Sequence, residues 1–284
     1  MKQILMKNIL LPTDFSENSW NAIAYAINFY KHDVCTFYVL NVGGFKNIVL
    51  DSPYIPDSNV LEQAYINPSK IKLRKILKRI SREFPANKKH KFYILAEYSY
   101  LIDSLRKHVK EKKIDMIVMG TKGASGLKEK IVGSNAGDVI TKVACTTLIV
   151  PENTKFKALK EIAFPTDFVE HFNIQVLEPL FEVIENKGVA LRVVHIHKQE
   201  VLLNNDQQNN KNLLKDLFYN YNYSFHTLTN EKFEDAVQCF VESRGIDMIV
   251  MVAKNLNYFQ QLFFHSNAEK ISYHTNVPFL VLHE

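Results

Sequence analysis

The chain has 284 residues, 46% of them hydrophobic and 23% charged, with a formal net charge of +5. That length suits two domains of ordinary size, and the composition is that of a globular protein. No apolar run reaches the roughly 18–20 residues that span a bilayer, no small-residue cleavage site follows the N-terminus, and the three cysteines, Cys35, Cys145 and Cys239, are scattered in apolar contexts. A membrane protein, a secreted disulfide scaffold and a cysteine-based metal framework are therefore disfavoured, and free thiols in a reducing cytoplasm are expected.

Strands and helices alternate along the chain. Residues 8–13 form a short apolar run ending at Pro12-Thr13-Asp14, read as a buried strand. Ser16 is placed to cap the following helix, whose apolar stripe is Trp20, Ile23, Ile27 and Tyr30. A second strand covers 34–42 and ends at Gly43-Gly44; residues 43–67, with Pro53 and Pro56, read as a long loop. A basic helix at 68–84 carries Lys70, Lys72, Arg74, Lys75, Lys78 and Arg79, with Ile71, Ile76, Leu77 and Ile80 at helical spacing. That pattern is a solvated amphipathic face, and no nucleic-acid motif accompanies it. A strand at 91–96, a helix at 99–112 with Leu101, Leu105 and Val109 on one face, a strand at 114–119, a glycine-bearing loop at 120–133, a helix at 134–144 and a strand at 146–150 complete the first half.

The second half repeats this order, with strands at 161–166, 189–196, 223–228, 247–252 and 278–282 and helices near 169–186, 206–219, 231–244 and 265–275. Pro151 to Lys157 is a short polar linker, so the halves are expected to pack together. The repeat is visible in the residues. Asp115-Met-Ile-Val-Met-Gly120 aligns without a gap with Asp247-Met-Ile-Val-Met-Val252, an offset of 132 (247 − 115) kept as far as His283. Ile9-Leu-Leu-Pro12-Thr13-Asp14-Phe15 matches Ile162-Ala-Phe-Pro165-Thr166-Asp167-Phe168 at an offset of 153 (162 − 9). A domain-sized period means tandem globular domains, not a solenoid. Strands alternating with helices call for a parallel sheet covered on both faces.

Three glycines are lost in the second copy: Gly120 becomes Val252, Gly123 becomes Asn255 and Gly133 becomes His265. Glycine allows close backbone approach, so one copy kept a backbone-lined site and the other lost it. In a doubly wound sheet, ligands bind beyond the carboxyl ends of strands at the switch in strand order. Pro12-Thr13-Asp14 and Gly120-Thr121-Lys122-Gly123 are the polar and glycine-rich segments that follow strands one and four. Gly126, Gly133, Ser134 and Gly137 follow, with Lys122, Lys128 and Lys130 adding positive charge. A helix opening at Ser134 would offer free N–H groups to phosphate. The composite reads as an anion site of nucleotide type. Asp14 also reads as a helix-capping residue, because Asp167 persists in the second half; Ser134 equally, because Ser266 persists. His195 and His197 alternate on a strand and read as strand-end polar residues rather than as a metal pair.

The spacing Gly120-x2-Gly123-x9-Gly133-Ser134, together with the start Ile9 to Ser16, resembles the ATP-binding class of universal stress proteins across nearly the whole chain. The resemblance implies two tandem doubly wound α/β domains, 1–152 with the intact glycine loop and 158–284 degenerate. Each would be a five-stranded parallel sheet in the order 3-2-1-4-5 with helices on both faces. It implies ATP with Mg or Mn as ligand. Asp14 and Val42 would hold the adenosine end, and Gly120, Gly123, Gly133 and Ser134 the phosphates. Pro12, Thr13, Met119, Thr121, Lys122, Gly126 and Asn135 would complete the nucleotide site. It further implies pairing of the two halves through their fifth strands, room for a homodimer, and a regulatory role. The sequence lacks a Gly-x4-Gly-Lys-[Ser/Thr] loop, a Gly-x-Ser-x-Gly elbow and a His-Glu-x2-His helix. No general base or nucleophile accompanies the glycine loop. The alternatives are a scaffold that binds no nucleotide and a slow ATPase or autophosphorylating protein.

Overall fold

A computed structural model describes residues 6–43, 62–121, 134–169, 173–197, 202–254 and 277–283. The first half runs β1 (Lys7–Pro12), α1 (Glu17–Phe29), β2 (Cys35–Gly43), a π-helical turn at Glu62–Ile66, α2 (Asn67–Glu83), β3 (His90–Tyr98), α3 (Leu101–Lys112), β4 (Met116–Gly120), α4 (Ser134–Lys142) and β5 (Thr147–Val150). The second runs β6 (Glu161–Pro165), α5 (Ile174–Lys187), β7 (Ala190–His197), α6 (Asn205–Phe218), β8 (Tyr223–Thr229), α7 (Phe233–Arg244), β9 (Met248–Val252) and β10 (Phe279–Leu282).

The strands form one ten-stranded sheet in the order β3-β2-β1-β4-β5-β10-β9-β6-β7-β8. Each half is thus a five-stranded parallel sheet in the order 3-2-1-4-5. The halves join edge to edge, because β5 and β10 pair antiparallel, Leu148 opposite Leu280. A fifth strand alone would be an open edge with a row of unpaired backbone groups; pairing the two edges removes both. Residues next to each other on a strand face opposite sides, yet both are buried. Ile9 and Leu11 lie in one apolar layer and Leu10 in the other, all at 0% exposure. Strands buried on both faces need unbroken apolar runs, which is why Ile9-Leu-Leu and Met116-Ile-Val-Met read as they do.

Local signals set the element ends. Ser16 caps α1, accepting the Ser19 N–H. Pro12 and Pro165 end β1 and β6, and the next residue in each half resumes pairing: Thr13 N–H donates to Leu40 O and Thr166 N–H to Val194 O, both at 2.8 Å. The aspartate before each fourth strand has the same structural task in both halves. Asp115 Oδ2 accepts the Asn8 N–H at 2.6 Å, and Asp247 Oδ2 accepts the Lys160 and Glu161 N–H groups at 2.7 and 3.1 Å. Two expectations shift. Helix α5 starts at Ile174 rather than near 169, because Asn173 is its cap and accepts the Gln175 N–H. Strand β3 runs on to Tyr98, so the third strand carries two more residues at its C-terminal end than 91–96, Glu97 and Tyr98. Of the loop predicted at 43–67, residues 44–61 lie outside the described residues and Glu62–Ile66 form the π-helical turn; the predicted helix at 265–275 also lies outside them.

The two halves also meet through their helices. Lys7 Nζ bonds both carboxylate oxygens of Glu182, at 2.6 and 2.8 Å. Lys187, in the last turn of α5, donates to Phe29 O at the end of α1 and lies 4.7 Å from the Phe29 ring centroid. A cation at two helix C-termini answers the partial negative charge of both. The linker is pinned as well: Asn21 Nδ2 donates to Pro151 O and Thr154 O, and Phe156 packs edge-on against Tyr25.

Candidate functional site

Strands β1 and β4 are neighbours, Ile9 opposite Met116 and Leu10 opposite Ile117. The chain leaves β1 toward β2 on one side and reaches β4 on the other, so the switch in strand order lies here. Pro12-Thr13-Asp14 and Gly120-Thr121 therefore emerge side by side at the carboxyl edge.

The turn after β1 is tightly held. Thr13 is buried, its hydroxyl shares a hydrogen bond with Ser19 Oγ at 2.8 Å, and it accepts the Phe15 N–H at 3.0 Å. Asp14 is exposed; its Oδ1 accepts the Ser16 N–H at 3.0 Å and the Ser16 hydroxyl at 2.6 Å. Phe15 is left-handed, with φ of 68°. This conformation costs a non-glycine residue roughly 1–2 kcal/mol and persists only where neighbours enforce it. The second half reproduces the turn: Phe168 has φ of 58°, its N–H donates to Thr166 Oγ, and Val169 N–H donates to Asp167 Oδ1. The bond from the aspartate to the N–H two residues on is thus common to both halves, but the helix caps are Ser16 and Asn173, so Asp14 shapes the turn and does not itself cap α1.

A side chain that sequence reasoning passed over ties this turn to β2. Asn41 Nδ2 donates to Thr13 O at 2.7 Å, and its Oδ1 accepts the Ser69 hydroxyl from α2. In the second half, His195 takes the place of Asn41. Its Nδ1 lies 3.0 Å from Thr166 O, and a carbonyl only accepts, so Nδ1 carries the proton. The ring stacks on Phe168 with centroids 5.0 Å apart. Burial lowers the His195 pKa, outweighing the hydrogen bond. His195 is therefore explained as a strand-end polar group. The alignment of Val39-Leu40-Asn41-Val42 with Val193-Val194-His195-Ile196, an offset of 154 (193 − 39), was the available signal for Asn41.

Of the residues expected at the adenosine end, Val42 is the next-to-last residue of β2 and stands opposite Glu97 of β3. Met119 is buried in the apolar layer that also holds Leu10 and Leu40. Gly120 shows why glycine stands there. A Cβ on it would lie 2.8 Å from Asn18 Oδ1 and 2.9 Å from Asn18 Cγ, so α1 presses directly on the strand end. Its φ is not in the left-handed region. Thr121 is buried, and its N–H donates to Val150 O. Ser134 opens α4 with Asn135, exposed, in the first turn. Lys122, Gly123, Gly126 and Gly133 lie outside the described residues, as do their counterparts Asn255 and His265.

Beside Val42 sits a polar cluster that the sequence did not reveal. Glu97 accepts the Ser104 hydroxyl at 2.6 Å and Lys107 Nζ at 2.7 Å, and its Oε1 lies 3.0 Å from His108 Nε2. Burial alone would raise the Glu97 carboxyl, but Lys107 and Ser104 hold it below the ordinary carboxylate value. Burial lowers the His108 pKa more than the neighbouring carboxylate raises it.

Fold and site together define a tandem, doubly wound α/β protein whose first half has its switch in strand order between β1 and β4. The sequence profile described as the universal stress protein family matches residues 6–151 and again residues 158–283, and the chain belongs to that family. It is 29% identical over 154 residues to a universal stress protein of Methanocaldococcus jannaschii, covering 53% of this chain and 85% of the relative. It is 28% identical over 150 residues to one from Bacillus subtilis, covering 51% of this chain and 99% of the relative. The solved structure of a universal stress protein from Archaeoglobus fulgidus matches the fold with a TM-score of 0.67 and 19% identity, over 96% of this chain and 97% of that one. Among the described residues no helix is long and apolar enough to cross a membrane, and no group of three or more His, Cys, Asp or Glu could hold a metal ion.

Proposed function

We propose that the first half, residues 1–152, binds one adenine nucleotide, ATP with Mg or Mn, and that residues 158–284 form a degenerate partner that binds none. The observation that carries this reading is the adjacency of β1 and β4, which brings the turn at Thr13-Asp14 beside Gly120-Thr121 at the switch point. Val42 and Asp14 would hold the adenosine end. Ser134, Asn135 and the N–H groups opening α4 would hold the phosphates, together with the glycine loop. With no cluster of carboxylates or imidazoles at hand among the described residues, the cation would be held chiefly by phosphate oxygens and water, as Mg usually is. In the second half Val252, buried, stands where Gly120 does, and a branched side chain there stiffens the backbone and fills space. The role is regulatory and cytoplasmic: nucleotide occupancy biases partner choice rather than driving turnover.

Calorimetry with Mg-ATP tests this. One site per chain is expected, and two sites or none would refute it. Ser134→Ala removes one hydrogen bond to a charged group, roughly 1.5–3 kcal/mol, or about tenfold to 150-fold in affinity. The loss should fall on ATP and spare adenosine. Equal losses for both would reduce Ser134 to a helix cap.

One observation favours a second reading, a pairing scaffold without nucleotide. Two bonds of the turn holding Asp14, from the Phe15 and Ser16 N–H groups, recur in the turn holding Asp167, from the Phe168 and Val169 N–H groups, so their preservation needs no ligand. Nucleotide retained through purification would exclude the scaffold.

A further inference from the structure

We propose that His108 and Glu97 form a pH-sensitive latch that holds α3 against the carboxyl end of β3 and releases it on mild acidification. The inference does not depend on nucleotide binding. His108 is only 4% exposed. Its Nε2 lies 3.0 Å from Glu97 Oε1, but the alignment is too poor for a good hydrogen bond, so the attraction is electrostatic. Its Nδ1 is buried with no hydrogen-bond partner among the described residues. A neutral imidazole carries one N–H, and the carboxylate favours it on Nε2, leaving Nδ1 as a bare lone pair. Protonation would add a second N–H, with a charge, at a buried position that offers no acceptor. A buried donor left unmade is costly, more so when charged.

The neighbouring charges relieve this only in part. Glu97 attracts the imidazolium, but it already accepts from Lys107 and Ser104, and burial outweighs its attraction. Lys107 repels the imidazolium, and Glu111 on the same helix only partly offsets that repulsion. On α4, the element packed against α3, Asp138 and Lys142 are paired with each other at 2.7 Å. The protonated ring is therefore better accommodated in water, and it reaches water only if α3 lifts from β3. Folding lowers the His108 pKa, so the unfolded or lifted state takes up a proton first. The latch is fully closed above the free histidine value, about 6.5, and weakens as pH falls below it. Because Glu97 stands opposite Val42, release acts at the end of β2.

Hydrogen exchange of α3 in the intact chain, at pH 7.5 and 5.5 and corrected for intrinsic exchange, tests the latch. Protection of residues 101–112 should fall at the lower pH, by up to about tenfold, because pH 5.5 lies about one unit below the free histidine value. His108→Gln, which cannot titrate, should show no such fall. An unchanged protection factor in the native protein, or an equal fall in His108→Gln, would overturn the proposal. Should His108→Gln not fold, Glu97→Gln provides the second arm. Losing the carboxylate should move the ring's titration, followed by NMR, to lower pH. A titration midpoint that stays where it was would show that the two groups are not coupled.

Discussion

Gly120→Ala is the sharpest test of how the strand end is built. The added Cβ would come within 2.8 Å of Asn18 Oδ1, 2.9 Å of Cγ and 3.0 Å of Nδ2. Carbon contacts are comfortable at about 3.5–4.0 Å, so each is short by roughly 0.5–1 Å. Asn18 sits in the first turn of α1 at 8% exposure and has little room to retreat. Overpacking of this kind costs about 1–3 kcal/mol. Replacing glycine stiffens the unfolded chain and returns about 0.4–1 kcal/mol, so the net loss should be about 1–2 kcal/mol. Urea unfolding followed by circular dichroism would read it directly. The control is the same substitution on an Asn18→Ala background. There the new methyl has space, and Gly120→Ala should become neutral or slightly stabilising. A Gly120→Ala protein as stable as the parent, or a cost that persists without the Asn18 side chain, would refute the reasoning. Gly120→Val adds two more carbons at the same place, so any loss of nucleotide binding in that variant has to be read beside its stability.

Three more outcomes are expected. Burial pushes the thiols of Cys35 and Cys145 up to about 12, while Cys239 is exposed; a thiol reagent at neutral pH should therefore label one cysteine in the native chain and three after denaturation, and rapid labelling of more than one would contradict the packing. The Lys7–Glu182 pair, 21% and 34% exposed, should show a coupling of about 0.5–1 kcal/mol in a double-alanine cycle, fading with salt; zero coupling at low salt would mean it contributes nothing to joining the halves. Burial lowers the pKa of His90, His108, His195, His226 and His283 alike, so the unfolded chain binds more protons just below pH 6.5 and stability should drop as pH falls from about 7 toward 5. The lowered carboxyls of Glu97, Glu161 and Asp247 add a further loss only below about 4.5, the range of ordinary carboxylates, so a stability curve flat between 7 and 5 would count against the histidine environments.

The sequence by itself determined the elements and their order, because the forces that set them are local. Unbroken runs such as Ile9-Leu-Leu and Met116-Ile-Val-Met announce strands buried on both faces. Ser16 announces a helix start, and the offsets of 153 and 132 announce a duplicated unit. The recurrence of Asp247 and Thr166-Asp167-Phe168 marked positions that share backbone hydrogen bonds in both halves. The pairing of the two fifth strands was also within reach, since the strand order leaves each of them as an open edge. What the tertiary structure decided are contacts between residues far apart in the chain, which no local pattern encodes. That Asn18 presses on Gly120, that Lys7 reaches Glu182, that Asn41 and His195 do one job with different side chains, and that His108 is buried against Glu97 all depend on which helix lies over which strand end. Burial and hydrogen-bond geometry act only once those pieces meet. A histidine on a helix reads the same in sequence whether it faces water or a carboxylate 3.0 Å away.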